Sequence, residues 1–220
     1  MSKEGRLIVI CGPSGVGKDT VCPLVVDVLN AYYFHEEQLD PRRDEIAAVR
    51  NNDLLAATLL VSHRQDLYRR FVIPKLSHGI DVIANRGEIS TMVYQTRKNQ
   101  LSIEDVWQMH RQAEIRIPDL VVILACSPQV ALARIKADLE SGSARKEIER
   151  GGGLGGKFTT SEGDSHAEKI AKMEVVYRQY QAAAAFLIGK GVATFVVNTE
   201  NISPKQVAAN LIASLNHPGE

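Results

Sequence analysis

The chain has 220 residues, 45% of them hydrophobic and 24% charged, a length and apolar content that suit one domain, or one domain with a lid, around a full core. Lysine plus arginine and aspartate plus glutamate both total 26, so the formal net charge is zero and the basic excess of a nucleic-acid or anionic-membrane binder is missing. Met1 to Gly5 is short and polar, and no run approaches the ~18 apolar residues of a membrane span, which argues against a secretory leader and a membrane partner.

The first element is a short apolar strand, Leu7–Cys11, running into Gly12-Pro-Ser14-Gly15-Val16-Gly17-Lys18 and then a helical pattern over Lys18–Asn30. Strand, glycine-rich turn and helix in that order make a phosphate-binding P-loop. Glycines let the backbone curl so that several N–H groups converge on a phosphate, and the helix start adds unpaired donors and its positive dipole end. Lys18 supplies a full charge for β- and γ-phosphates. The hydroxyl usually found next to the lysine is displaced by one, since Asp19 precedes Thr20. A second short strand is expected at Tyr32–His35, then a polar connector, Glu36–Asp44, and a long helical region over Leu54–Leu76 with Pro74 near its end. Asp81–Ala84 reads as a third strand. Ser102–Ile115 reads as a helix with Ser102 and Asp105 as a capping box.

Leu120–Cys126 is continuously apolar, as expected of a strand covered on both faces. Ser127-Pro128 opens a helix to about Leu139, His166–Ile188 is helical, Val192–Val197 is a strand, and Ser203-Pro204 starts a closing helix to Leu215. The alternation predicts an α/β fold, a three-layer doubly wound parallel sheet with right-handed crossovers, whose ligands bind outside the carboxyl ends of the strands. Ser141–Asp164 is the least regular stretch. Gly151 to Lys157 fits a second GxxxxGK, but the charged run SARKEIER precedes it rather than a strand, so we reject that reading. A mobile lid fits better, with glycine hinges and Arg145 or Arg150 reaching transferring phosphates on closure. Cys11, Cys22 and Cys126 are odd in number, have no metal spacing and sit in apolar surroundings. They predict buried, reduced thiols in a cytoplasmic protein.

Beyond the P-loop, three further segments resemble the thymidylate kinase family. Leu59-Leu60-Val-Ser-His-Arg64, with Phe71-Val-Ile-Pro74 after it, resembles that family's LFAADR helix and following proline. Asp81-Val-Ile-Ala-Asn85-Arg86-Gly87, then Ser90 and Tyr94-Gln95, resembles its strand ending in Asp-Arg-Tyr with a serine and an Ala-Tyr-Gln. Pro118-Asp119-Leu120 and Ala131-Leu-Ala-Arg134-Ile135 resemble its PDL…ALxRI. Several small kinases of nucleoside monophosphates also carry the GKxT arrangement. The segments cover most of residues 6–136 and imply a P-loop NTPase fold of the nucleoside monophosphate kinase type.

The resemblance implies ATP as donor, held by Gly12, Ser14, Gly15, Val16, Gly17, Lys18, Asp19 and Thr20, with Arg134 near the donor base. It implies that Arg64 and Arg86 bind the acceptor phosphate, that Leu60, Ser90, Thr91, Tyr94 and Gln95 line the acceptor site, and that Arg145 or Arg150 enters from the lid. It also leaves room for a homodimer through helices on the sheet's flank. The chemistry agrees on its own terms. Guanidinium groups fork onto phosphates with two bonds, and phosphoryl transfer needs positioning and charge neutralisation more than a general base. Mg²⁺ bridging the donor phosphates is therefore expected, with Thr20 and Asp19 as its protein ligands. Arg86 and Arg64 are expected to form a two-armed clamp, and Gly87 to let a ligand approach the backbone. Tyr94 is expected beneath the acceptor sugar, favouring deoxyribose.

Four positions depart from the family pattern. Ser14 stands where many members carry an acid, Asn85 replaces the aspartate before Arg86, Gly87 replaces an aromatic, and Leu60 replaces the phenylalanine that stacks on thymine. The family's Arg-Glu-Pro-Gly is replaced by His35-Glu-Glu-Gln-Leu-Asp-Pro-Arg42-Arg43, leaving open which arginine takes over a phosphate contact. Asp19 is a candidate to offset the missing acid near the metal. Phosphoryl transfer from ATP to a small phosphate-bearing acceptor, a (deoxy)nucleoside monophosphate, is the reading these residues favour. The alternatives are a kinase of a sugar phosphate and a non-catalytic nucleotide-binding regulator.

Overall fold

Residues 3–39, 43–49, 51–96, 100–141 and 164–216 are described by the computed structural model of the chain. Its strands are β1 (Leu7–Cys11), β2 (Tyr32–His35), β3 (Val82–Asn85), β4 (Leu120–Ala125) and β5 (Thr194–Asn198), and they form one five-stranded sheet in the order β2-β3-β1-β4-β5. Every pairing is parallel. Parallel strands need crossovers, and the helices that supply them cover both faces of the sheet. The chain therefore has the doubly wound α/β architecture expected from its alternating elements.

Side chains alternate between two cores. Leu7, Val9 and Cys11 of β1 face one layer, with Val61, Leu67, Ile89, Met92, Val176 and Leu187. Ile8 and Ile10 face the other, with Val21, Val25, Leu132, Val207 and Leu211. The second layer is built from α1 (Lys18–Leu29), α8 (Pro128–Glu140) and α10 (Pro204–Asn216). The first is built from α4 (Asp53–Leu67), α6 (Glu88–Tyr94), α7 (Ile103–Gln112) and much of α9 (His166–Gly189). All five residues of β1 are buried, so the strand that leads into the P-loop is fixed on every side.

The helix ends follow their sequence signals. Ser102 accepts from Asp105 N at 3.0 Å while Asp105 Oδ2 accepts from Ser102 N at 2.8 Å, the expected capping box. Three stretches differ from expectation. The polar connector after β2 is helical in part, as α2 (Glu36–Leu39) and α3 (Arg43–Ala48). The long helix over Leu54–Leu76 is broken: after α4 a π-helical turn spans Tyr68–Val72 before α5 (Ile73–Ser77). Pro74 explains the break, because its ring would meet the Arg70 carbonyl of a continuing α-helix, and the turn upstream widens instead. Helix α6 has no counterpart in the sequence reading; all seven of its residues are buried, so it lacks a polar face to give it a period. Among the described residues no helix is long and apolar enough to cross a membrane. Arg145 and Arg150, with most of the segment read as a lid, lie outside the described residues.

The turn from β1 to α1 depends on glycine at two places for different reasons. Gly12 has φ +139°, and a Cβ there would lie 2.3 Å from the Leu124 carbonyl oxygen. Gly17, the left-handed residue before α1, has φ +93° with open space around it. Gly17→Ala should therefore cost only left-handed strain, about 1–2 kcal/mol. Gly12→Ala adds a backbone collision and should cost more than about 3 kcal/mol. Urea denaturation of both variants checks this; equal losses would mean that the Leu124 carbonyl does not set the turn.

Candidate active site

The carboxyl ends of β1, β2 and β3 lie side by side, because Ile10 is in register with Asn85 and Asn85 with His35. The P-loop leaves this edge after Cys11. Lys18, the first residue of α1, folds back and donates from Nζ to the Pro13 carbonyl at 2.7 Å. It is only 4% exposed. Burial, and then the nearby Arg86 cation, lower its pKa to about 8. The loop is buttressed from the β5 side. A Cβ on Gly15 would lie 2.5 Å from the Ala131 carbonyl oxygen. Arg134 on α8 donates to Thr199 Oγ1 at 3.1 Å, to Thr199 O at 2.8 Å and, at 3.5 Å, to the Gly15 carbonyl. Thr199 in turn donates to Val16 O at 3.1 Å. Arg134 thus ties the P-loop to the segment after β5.

Asp19 turns from α1 towards β3. Its Oδ1 accepts from Asn85 Nδ2 at 2.6 Å and lies 3.7 Å from His35 Nε2. The His35 ring is the largest of the influences, with Lys18 and Asn85, that outweigh partial burial and hold the Asp19 carboxyl well below the usual range. Asn85 is 1% exposed and also donates to Tyr33 OH at 2.9 Å. Thr20 is exposed on the first turn of α1. Asp19 and Thr20 offer hard oxygen donors of the kind Mg²⁺ takes. Among the described residues no three of His, Cys, Asp or Glu gather for a metal. An ion here would complete its shell with phosphate oxygens and water, as Mg²⁺ commonly does.

Arg86 follows β3 with φ +76°, a conformation that non-glycine residues rarely adopt, and its N–H donates to Ile10 O at 3.0 Å. Strain of this kind persists only where the surroundings hold it. A Cβ on Gly87 would lie 3.2 Å from Val9 Cγ1, close enough that the valine side chain would have to give slightly.

Arg64 is not an open arm of a clamp. It is 1% exposed, and its guanidinium is already engaged. Nη2 donates to Glu36 Oε2 at 2.8 Å, and Nη1 donates to Thr91 Oγ1 at 3.1 Å and to His110 Nε2 at 2.6 Å. Arginine has no lone pair to offer, so His110 accepts at Nε2 and donates from Nδ1 to Val106 O at 2.7 Å. That tautomer is neutral, and burial together with Arg64 lowers the His110 pKa to about 3. Burial opposes the Arg64 cation, but the Glu36 carboxylate outweighs it and holds the guanidinium above its ordinary value. A second pair, Glu88 with Arg111 at 2.7 Å, lies nearby, and burial raises the Glu88 carboxyl. Glu36 Oε1 and Arg64 Nε are buried without a hydrogen-bond partner among the described residues.

The remaining acceptor-site candidates surround this cluster. Leu60 is half-buried on α4, one turn before Arg64. Ser90, Thr91 and Gln95 are buried on α6 and at its end. Tyr94 sits in the core cluster, edge-on to Tyr180 with ring centres 6.3 Å apart. The sequence reading missed Glu36, His35, Thr199 and His110. The same strand-end reasoning that singled out Arg86 would have reached His35, the last residue of β2, and Glu36 directly after it; nothing local to His110 marks it.

The His110 site makes stability depend on pH. An unfolded histidine titrates near 6.5, and this one titrates near 3. The unfolded chain therefore takes up a proton that the native site refuses, and stability is lost as pH falls from about 6.5 towards 3, by at most about 1.4 kcal/mol per pH unit. His110→Gln should keep an acceptor for Arg64 and flatten the fall of Tm with pH over that window. An unchanged profile would show that His110 is not the buried neutral base of this cluster.

Comparison with known proteins agrees with this arrangement. The family model described as thymidylate kinase matches residues 10–151, more than half of the chain. A thymidylate kinase of Caldicellulosiruptor saccharolyticus is 30% identical over 145 residues, 60% of this chain and 70% of its own. One from Lactobacillus delbrueckii subsp. bulgaricus is 29% identical over 192 residues, covering 81% of this chain and 82% of its own. One from Legionella pneumophila is 29% identical over 150 residues, 62% and 71% of the two chains. With a P-loop, a parallel sheet and an arginine at the adjoining strand end, the chain belongs to the thymidylate kinase family of phosphotransferases.

Proposed function

We propose that this protein transfers the γ-phosphoryl group of ATP to thymidine monophosphate. The observation that carries this reading is that the P-loop lysine and Arg86 stand together at one sheet edge, in a chain that belongs to the thymidylate kinase family. The P-loop amides and Lys18 hold the β- and γ-phosphates, and Arg86 seats the acceptor phosphate in line with them. Two anions repel as they approach, so cations fixed in advance lower the barrier more than a base would. Asp19 and Thr20 would hold a Mg²⁺ ion, whose charge would offset that of the donor phosphates.

Arg134 borders the donor site. Leu60, Ser90, Thr91 and Gln95 border the acceptor, and Arg64 with Glu36 and His110 forms its polar floor rather than a second phosphate arm. Leu60 in place of an aromatic costs stacking on the order of 0.5–1.5 kcal/mol beyond area burial. The whole chain is proposed as a single kinase domain; Arg145 and Arg150 lie outside the described residues. The three free, buried cysteines fit a reducing, cytoplasmic setting. Family membership is also the support for pairing of two copies through flank helices.

A panel of nucleoside monophosphates and sugar phosphates with Mg-ATP tests the reading. ADP release should depend on thymidine monophosphate; release with a sugar phosphate alone, or none at all, would refute it. Arg86→Ala should lower kcat/KM at least about a hundredfold, roughly 2.7 kcal/mol of transition-state stabilisation. A tenfold loss or less would mean that the acceptor phosphate lies elsewhere.

A further inference from the structure

The residue after the P-loop lysine is where a hydroxyl commonly meets the divalent cation. Here that residue is Asp19, a carboxylate whose side chain is 61% exposed in front of the loop. It is not left to wander. Asn85 grips Oδ1 at 2.6 Å, and Asn85 is itself 1% exposed and anchored to Tyr33 OH at 2.9 Å. The opposite end of that amide, Asn85 Oδ1, is buried with no hydrogen-bond partner among the described residues. A buried amide thus spends its donor on orienting one acid and leaves its oxygen unmatched, an arrangement that is costly where nothing completes it. Lys18, Arg86 and His35 also face the carboxylate, and among the described residues no second acid acts on it with them.

We propose that Asn85 is a positioning residue for the divalent cation that travels with the nucleotide: it fixes Asp19 as the carboxylate among that ion's protein ligands. Positions 19 and 85 hold one acid between them. A carboxylate at both would set two like charges at hydrogen-bond distance, and at neither would leave the ion with neutral oxygens only. The acid resides on the helix and the amide on the strand end, joined by a bond that either arrangement can make. The inference rests on the phosphoryl-transfer reading only in that donor phosphates supply the ion's other ligands.

The test uses Mn²⁺ as the probe and ADP as the nucleotide, without acceptor, so that no turnover is needed. Free Mn²⁺ is read by electron paramagnetic resonance, and ADP affinity in EDTA by calorimetry. The ADP-bound protein should hold Mn²⁺ at least about tenfold more tightly than ADP alone does. Asp19→Asn should remove that advantage without weakening ADP in EDTA, since it takes a negative charge away from beside the phosphates. The exchanged double variant, Asp19→Asn with Asn85→Asp, should bring Mn²⁺ affinity back to within about threefold of the natural protein. The proposal is overturned if Asp19→Asn leaves Mn²⁺ affinity unchanged. It is overturned equally if that variant weakens ADP as much in EDTA as with Mn²⁺, since the carboxylate would then only shape the loop. A double variant as weak as the single one would overturn the shared-acid relation. Failure of the natural protein to bind ADP in EDTA or with Mn²⁺ would instead bring down the nucleotide reading itself, and this inference with it.

Discussion

One backbone contact decides where everything at the carboxyl edge of the sheet lies: the Leu124 carbonyl presses into the space where any side chain at position 12 would begin. The P-loop can leave β1 only by lying against β4, and Gly15 is pressed the same way against the Ala131 carbonyl of α8. Main chain against main chain leaves no freedom for the loop to drift. Helix α1 must then start at Lys18, which puts the ammonium inside the loop and Asp19 facing the end of β3. Arg134 and Thr199 close the far side. The site is positioned by rigid elements rather than by the loops themselves, the condition for holding charges where phosphates will meet.

Charge is the second constraint. The edge collects Lys18 and Arg86 beside Asp19, and behind it Arg64 and Arg111 beside Glu36 and Glu88. A guanidinium as deeply buried as Arg64 is tolerable only with a carboxylate on it, and removing one partner of such a pair typically costs about 3–5 kcal/mol. His110 has to stay neutral for the same reason, since a second cation against Arg64 would undo the pair. The result is a division of labour. The deep cations are paired with carboxylates of the protein, whereas at the sheet edge burial and then the nearby Arg86 lower the pKa of Lys18 against the opposing pull of Asp19.

What the sequence made legible was what its chemistry keeps local. The P-loop, the strand before it and the helix after it are contiguous, and the Ser102–Asp105 box closes within four residues. The apolar run of β4 declared a strand buried on both sides. The rest depended on partners far along the chain. Arg64 finds Glu36, Thr91 and His110, which no spacing connects. Its match to a phosphate-binding arginine was visible, but its commitment to protein partners was not. Helix α6 lacked a polar face, and the π-turn before Pro74 looks in sequence like more of the same helix.

The four departures from the family pattern separate on physical grounds. Gly87 packs against Val9, whose methyl groups would have to give slightly before a side chain could stand there. Asn85 answers to Asp19, because the acid has a donor to meet and the strand end no longer needs a charge of its own. Neither is the mark of a decaying site, where substitutions would scatter without regard to one another. Nothing in the structure accounts for Ser14, and nothing accounts for Leu60. Leu60 is half-buried on α4, one turn before the buried Arg64. A pocket without an aromatic wall depends more on its polar floor for discrimination. That floor presents one unmatched carboxylate oxygen at Glu36 and one unmatched N–H at Arg64. Buried polar groups left unpaired discriminate more sharply between ligands than apolar contact does, so in the acceptor site proposed above selectivity would rest on hydrogen bonding more than on stacking.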